Sequence, residues 1–167
     1  TIDRMDYNKS MHFPLLKSRE GVSLERVQYN RPANDPDNWH SAAQASGFAT
    51  PGYRNSQFAE DDRSTVAISV KPEVFSPDND GFDDVARIHY QLDKPGYAAM
   101  IKIYDSRGRL VRQLVNNQTI GNSGYFVWDG LDDRRSKAPA GIYVVFVEAY
   151  HPDGMVRSFK VPCVLGR

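Results

Sequence analysis

Between residues 66 and 165 the chain runs in short stretches of alternating apolar and polar residues, interrupted by turn signals about every ten residues. No other feature constrains the fold as much. A period of two sends successive side chains to opposite faces of an extended strand, one toward a core and one toward water. Val66, Ile68 and Val70 alternate with Ala67, Ser69 and Lys71. Ala86, Ile88, Tyr90 and Leu92 share one face of the next strand. Ile101 and Ile103 flank Lys102, and Asp105-Ser-Arg-Gly-Arg109 turns the chain into a strand over 110–115. Residues 124–128 form another, and 141–150, the longest apolar run, reads as a central strand. His151-Pro-Asp-Gly154 is a hairpin turn into 155–165. No helical period survives here. About seven strands so spaced predict an antiparallel β-sandwich.

Residues 1–58 read differently. Ile2-Asp-Arg-Met-Asp-Tyr7 is a short strand candidate, and Gly21-Val-Ser-Leu-Glu-Arg-Val27 is a second, with Val22, Leu24 and Arg26 on one face. Asn30-Arg-Pro-Ala-Asn-Asp-Pro-Asp-Asn-Trp39 is rich in turn formers, and its prolines exclude a helix or a central strand. Residues 41–46 suit one helical turn. The polar stretch 59–65 reads as a linker, which divides the chain into 1–58, 59–65 and 66–167.

Composition removes several function classes. The 21 basic and 21 acidic residues balance, so the chain carries no electrostatic footprint for nucleic acid. The single cysteine, Cys163, rules out a disulfide within the chain and a multi-cysteine metal site. It reads as a small buried hydrophobe on the last strand. No apolar run is long enough for a membrane-spanning helix, and the start Thr1-Ile-Asp-Arg lacks the apolar core of a signal peptide.

The ordered set Phe75-Ser-Pro77, Ile88-His-Tyr-Gln-Leu92, Ile103-Tyr-Asp-Ser-Arg-Gly-Arg-Leu110, Trp128-Asp-Gly130 and Ala140-Gly-Ile-Tyr143 resembles the Ig-like domain of the flagellar hook-capping protein and its bacterial relatives. Its opening, Phe-Ser-Pro followed by acidic residues, is also similar to C-terminal domains of Bacteroidetes proteins of gliding motility and type IX secretion. Residues 1–58 resemble the closing strands of a bacterial lamin-tail domain. The matching pieces are His12-Phe-Pro-Leu-Leu16, Gly21-Val-Ser-Leu-Glu-Arg26, Asn34-Asp-Pro-Asp-Asn-Trp-His-Ser41 and Ala49-Thr-Pro-Gly-Tyr-Arg-Asn-Ser56. These resemblances imply an all-β chain, an Ig-like sandwich preceded by an incomplete lamin-tail-like segment. Half a sandwich exposes unpaired edges, so that segment is expected to pack on the second domain, pair with another chain or belong to a longer protein. The implied parent is a large extracytoplasmic protein, secreted or on the cell surface.

The candidate ligand site is the acidic loop Asp78-Asn-Asp-Gly-Phe-Asp-Asp84. Calcium takes six to eight oxygens, and Asp78, Asp80, Asp83 and Asp84 would converge if the loop curls about Gly81. The loop is not an EF-hand, because Arg87 falls where that motif needs a bidentate glutamate. The other reading is a turn in which these side chains cap backbone N–H groups. Trp128 is expected to plug the core, with Asp129-Gly130 as its turn, and Trp39 to pack over the first segment. His12, His40, His89 and His151 show no metal-ligand spacing, and no nucleophile elbow is present. Asp132-Asp133-Arg134-Arg135 reads as a solvated loop or a protein-binding loop at one end of the sandwich. Lys102, Arg107, Arg109 and Arg112 read as a solvated strand edge or a site for an anionic polysaccharide.

The functional expectation is a non-catalytic C-terminal module of a large secreted or cell-surface bacterial protein, serving secretion, anchoring or assembly. Its partners would be a surface protein or the secretion machinery, and the upstream domains of the same parent. No nucleic acid and no cofactor other than calcium are expected. The alternatives are an accessory domain of a secreted nuclease or peptidase, and a carbohydrate-binding module. The last needs an exposed aromatic platform.

Overall fold

The alternating runs become strands. The computed structural model describes residues 4–59 and 66–167. In chain order its strands are β1 (Leu24–Arg26), β2 (Trp39–Ser41), β3 (Ala67–Lys71), β4 (Val74–Phe75), β5 (Ala86–Gln91), β6 (Ala98–Asp105), β7 (Leu110–Thr119), β8 (Ser123–Trp128), β9 (Gly141–Tyr150) and β10 (Val156–Leu165). The helical content among the described residues is three short 3-10 turns, at Lys9–Met11, Pro36–Asn38 and Gln44–Ser46. The chain is all-β, as its alternation predicts.

Two sheets make the sandwich. One has the order β4-β10-β9-β6-β7 and the other β3-β5-β8, while β1 and β2 pair separately. Eight strands therefore build the sandwich where the alternation predicts about seven. The extra one is β4. It is two residues long and pairs in parallel with β10 through Val74 and Val164, whereas the other pairings are antiparallel. A two-residue strand between Pro72 and Pro77 carries no period to read. β7 runs on to Thr119, past its predicted end. Asn116 and Asn117 lie exposed on this edge strand, so no apolar alternation marks its second half.

The predicted inward faces are the buried ones. Ala86, Ile88, Tyr90 and Leu92 are buried from one sheet, and Ile101, Ile103, Val145 and Val147 from the other. Trp128 is 0% exposed and sits at the centre. Phe75 and Tyr143 meet its ring edge-on, at centroid distances of 5.2 and 5.0 Å. Full burial of such side chains stabilises by roughly 1.5–3 kcal/mol each, and edge-on aromatic pairs add to that.

Strand direction sorts the loops into two ends. Loops 76–85, 106–109 and 129–140 lie at one end, where β9 begins and β10 finishes. Loops 92–97, 120–122 and 151–155 lie at the other. Residues 4–59 pack on that second end. Asn122 donates its backbone N–H to the Ser56 carbonyl at 2.9 Å and its side-chain amide to the Gln57 carbonyl at 2.8 Å. The Gln44 N–H donates to Thr119 Oγ1 at 2.9 Å. Gly121 is necessary here, because a Cβ at that position would lie 2.2 Å from the Ser56 carbonyl oxygen. The expected packing of the first segment on the sandwich thus occurs, through backbone and amide groups.

One expectation for residues 1–58 changes. Residues 4–8 form no strand, and residues 1–3 of that candidate lie outside the described residues. The predicted strand around Leu24 forms, and its buried residue is Glu25, whose carboxylate accepts hydrogen bonds from the hydroxyls of Thr50 and Ser56 and the N–H of Gln57. A satisfied carboxylate can be buried where an unpaired one cannot. The proline-rich run is a turn segment, as predicted, with a single 3-10 turn opened by Pro36 and capped by the Asp35 side chain. The predicted linker lies outside the described residues except for Ala59.

Candidate functional site

The acidic loop closes the first end of the sandwich, between β4 and β5. Its curl comes from residues that tolerate left-handed backbone: Asn79 (φ 65°), Gly81 (φ 89°) and Asp83 (φ 50°). The curl turns backbone N–H groups toward the carboxylates. Asp84 accepts from Asn79 at 2.6 Å and from Gly81 at 2.9 Å. Asp78 accepts from Asp80 at 3.1 Å, and Asp80 from Phe82 at 2.8 Å. Asp78, Asp80 and Asp84 each present a carboxylate oxygen, all within 4.8 Å of one another. Asp83 does not join them; its carbonyl accepts from the Ser76 N–H at 2.9 Å. Three of the four candidate ligands are therefore brought together. Phe82 projects from the same loop and is 73% exposed, a property that alternation does not predict for a loop residue.

Across the same end lies an open cleft of about 690 Å³, between the β6–β7 hairpin and the 129–140 loop. Its carboxylates are already engaged. Asp105 binds Arg109 Nε at 2.7 Å and accepts the N–H groups of Arg107 and Arg109. The Arg109 N–H holds the Asp105 pKa below the usual carboxylate range, helped by the Arg109 side chain. Asp132 accepts the N–H groups of Arg134 and Ser136, and Asp133 that of Gln113. Arg107, Arg134 and Lys137 line the cleft, exposed, with no side-chain hydrogen bond or ion pair among the described residues. The predicted hairpin cluster of cations is divided by the fold. Arg112 turns under the 129–140 loop and donates to the Leu131 and Asp132 carbonyls, while Lys102 stands opposite Phe146 on the sheet. Lys137 could not be picked out beforehand, because only loop packing puts it beside Arg107.

The remaining candidates are structural. Trp128 donates Nε1–H to the Leu131 carbonyl at 3.0 Å, so it locks the Asp-Gly turn from inside the core. Trp39 is half-buried and donates to the Ala33 carbonyl at 2.8 Å. Neither tryptophan is a free platform for a sugar. Cys163 is buried, and burial pushes its thiol up to about 11. His12 and Ser41 are buried 2.9 Å apart, with the Ser41 hydroxyl also accepting the Phe13 N–H, which ties residues 12–13 to β2. His40 and His151 meet across Gly96, where burial lowers the His40 basicity.

Comparison with known proteins adds a family. The model described as "CHU_C Type IX secretion signal domain" matches residues 69–159, from within β3 to within β10. No curated protein matches the chain. Among solved structures, PorZ, a surface component of the type IX secretion system of Porphyromonas gingivalis, is 21% identical over 60% of this chain and 12% of its own, with a TM-score of 0.40. FlgD from P. aeruginosa is 23% identical over 48% of this chain and 62% of its own, with a TM-score of 0.39. Latent dimeric PorU from P. gingivalis is 21% identical over 65% of this chain and 10% of its own, with a TM-score of 0.43. These three likenesses are too distant to bear on function.

Proposed function

The chain belongs to the CHU_C type IX secretion signal domain family, and from that premise we propose that it is the non-catalytic module by which a larger secreted or cell-surface protein is recognised by the type IX secretion machinery. The observation that carries this reading is the extent of the match, which spans nearly the whole sandwich. The fold is consistent with recognition by contact. One end of the sandwich is covered by residues 4–59, and the loops of the other end present exposed residues, Phe82, Arg107 and Arg134 among them. Loops clustered at one end of such a sandwich are where partners are commonly recognised. Residues 4–59 act in this reading as a lamin-tail-like spacer toward the rest of the parent protein.

The test is export of a reporter. A periplasmic fluorescent protein fused to this chain, expressed in a bacterium with a type IX system, should reach the medium or cell surface. It should stay periplasmic when the system is deleted. Retention in the wild-type strain, with the fusion intact and folded, overturns the reading.

A second proposal concerns the acidic loop. The convergence of Asp78, Asp80 and Asp84 favours calcium as an ion held there, with Asp83 shaping the backbone.

A further inference from the structure

We infer that the free end of the sandwich is a self-complementary surface, on which the acidic loop of one copy of this chain docks into the cationic cleft of a second copy. The inference does not rest on the secretion reading. It rests on two patches at one end with opposite charge and matching apolar character. Arg109 and Asp105 pair with each other, and against the carboxylates of Asp132 and Asp133, which accept backbone N–H groups, the cleft presents Arg107, Arg134 and Lys137 with no side-chain partner among the described residues and a surplus of one positive charge; Leu110 (49% exposed) and Ile142 (58% exposed) line it too. The loop presents the carboxylates of Asp78, Asp80 and Asp84 around Phe82, which is 73% exposed. An acidic segment with an apolar tip is the ligand such a cleft fits.

The loop does not fill the cleft of its own chain. Its carboxylates bind its own backbone, and residues 137–140 stand between the two, forming a wall of the cleft on one side and of a smaller hollow with Pro77 and Asp78 on the other. A second copy avoids that obstacle. Because loop and cleft share one end, a two-fold axis between two copies places each loop against the other's cleft and closes the contact. Opposite ends would instead have generated an open chain. Attraction between these exposed charges acts over about one Debye length, roughly 10 Å at 0.1 M salt, so the association is salt-dependent. Calcium on the loop would occupy the same carboxylates and compete with docking.

Sedimentation velocity on the 167-residue chain in EDTA tests this. At low salt and high protein concentration the mass should approach twice the 18.9 kDa monomer, and it should return to the monomer at about 0.5 M salt, where charges are screened. A wild-type chain that stays monomeric at the lowest salt overturns the inference. Two exposed-site variants sharpen the test. Arg134→Asp/Lys137→Asp makes the cleft acidic, and Asp78→Lys/Asp80→Lys makes the loop basic. Each alone should be monomeric. Their equimolar mixture should dimerise, because both contacts become complementary again. Melting curves establish that both variants are folded. A mixture that remains monomeric, or single variants that dimerise as the wild type does, overturns the inference.

Discussion

Removing the Trp128 ring tests the sandwich core directly. The side chain is fully buried, packs edge-on against Phe75 and Tyr143, and donates to the Leu131 carbonyl at 3.0 Å. A buried aromatic removes about 150–250 Å² from water, worth about 4–6 kcal/mol at ~25 cal/mol per Å² as an upper bound. Trp128→Ala forfeits most of that and opens a cavity between two sheets whose backbones cannot close together. The expected loss is ~3–5 kcal/mol. For a chain of this size each kcal/mol moves the melting temperature by about 2–4 °C, so the midpoint should fall by about 6–20 °C. Trp128→Phe keeps an aromatic ring for Phe75 and Tyr143 but deletes the Nε1–H donor and leaves the Leu131 carbonyl with the longer 3.3 Å bond from Arg112 alone, for a smaller loss of ~1–3 kcal/mol. The assay is urea unfolding followed by far-UV circular dichroism, since the mutation removes one of the two tryptophan fluorophores. A double-mutant cycle with Phe75→Leu should return a coupling of ~0.5–1.5 kcal/mol. A Trp128→Ala loss below about 1 kcal/mol would refute the reasoning, because no fully packed core ring is removed so cheaply.

Other outcomes follow from the same geometry. Gly121→Ala should loosen residues 4–59 from the sandwich, because the new Cβ meets the Ser56 carbonyl; a cost of ~1–3 kcal/mol and faster proteolysis within 4–59 are expected, and unchanged proteolysis would count against the docking. His40 is half-buried near His151 and His12, and desolvation disfavours its charged form more strongly than the Ser41 carbonyl and Glu25 favour it. Its folded basicity is therefore lowered, and the unfolded chain binds more protons once pH falls below the ordinary imidazole value of about 6.5. The melting temperature should fall between pH 7.5 and 5.5 and level off once His40 also titrates in the folded state; His40→Gln should flatten that slope, and parallel profiles would dismiss His40 as its source. If calcium occupies the acidic loop, the wild type should melt a few degrees higher in millimolar calcium than in EDTA, and Asp80→Ala should abolish the difference; coincident wild-type curves would leave the loop a hydrogen-bonded turn.

The strands of the sandwich were legible in the sequence because burial on one face writes a period of two along the chain. Ile101 and Ile103 read inward for that reason, and β9 spans its predicted residues. The same rule fails where burial is polar. A glutamate is by type a solvent residue, and only the hydroxyls of Thr50 and Ser56, 25 and 31 residues away, make the burial of Glu25 possible. β4 was invisible because two residues carry no period, and its parallel partner in β10 lies 90 residues on. For the candidate site, the acidic composition and the glycine of the 78–84 loop announced a curled carboxylate cluster. Which carboxylates converge was settled by backbone dihedrals, which turned Asp83 away. The cationic cleft is a product of tertiary structure alone. Arg107 lies on one hairpin and Arg134 and Lys137 on another loop, and they share a surface only because β6, β7 and β9 are neighbours in one sheet. Periodicity reports what each residue faces, while the meeting of distant loops depends on strand order, which no local pattern encodes.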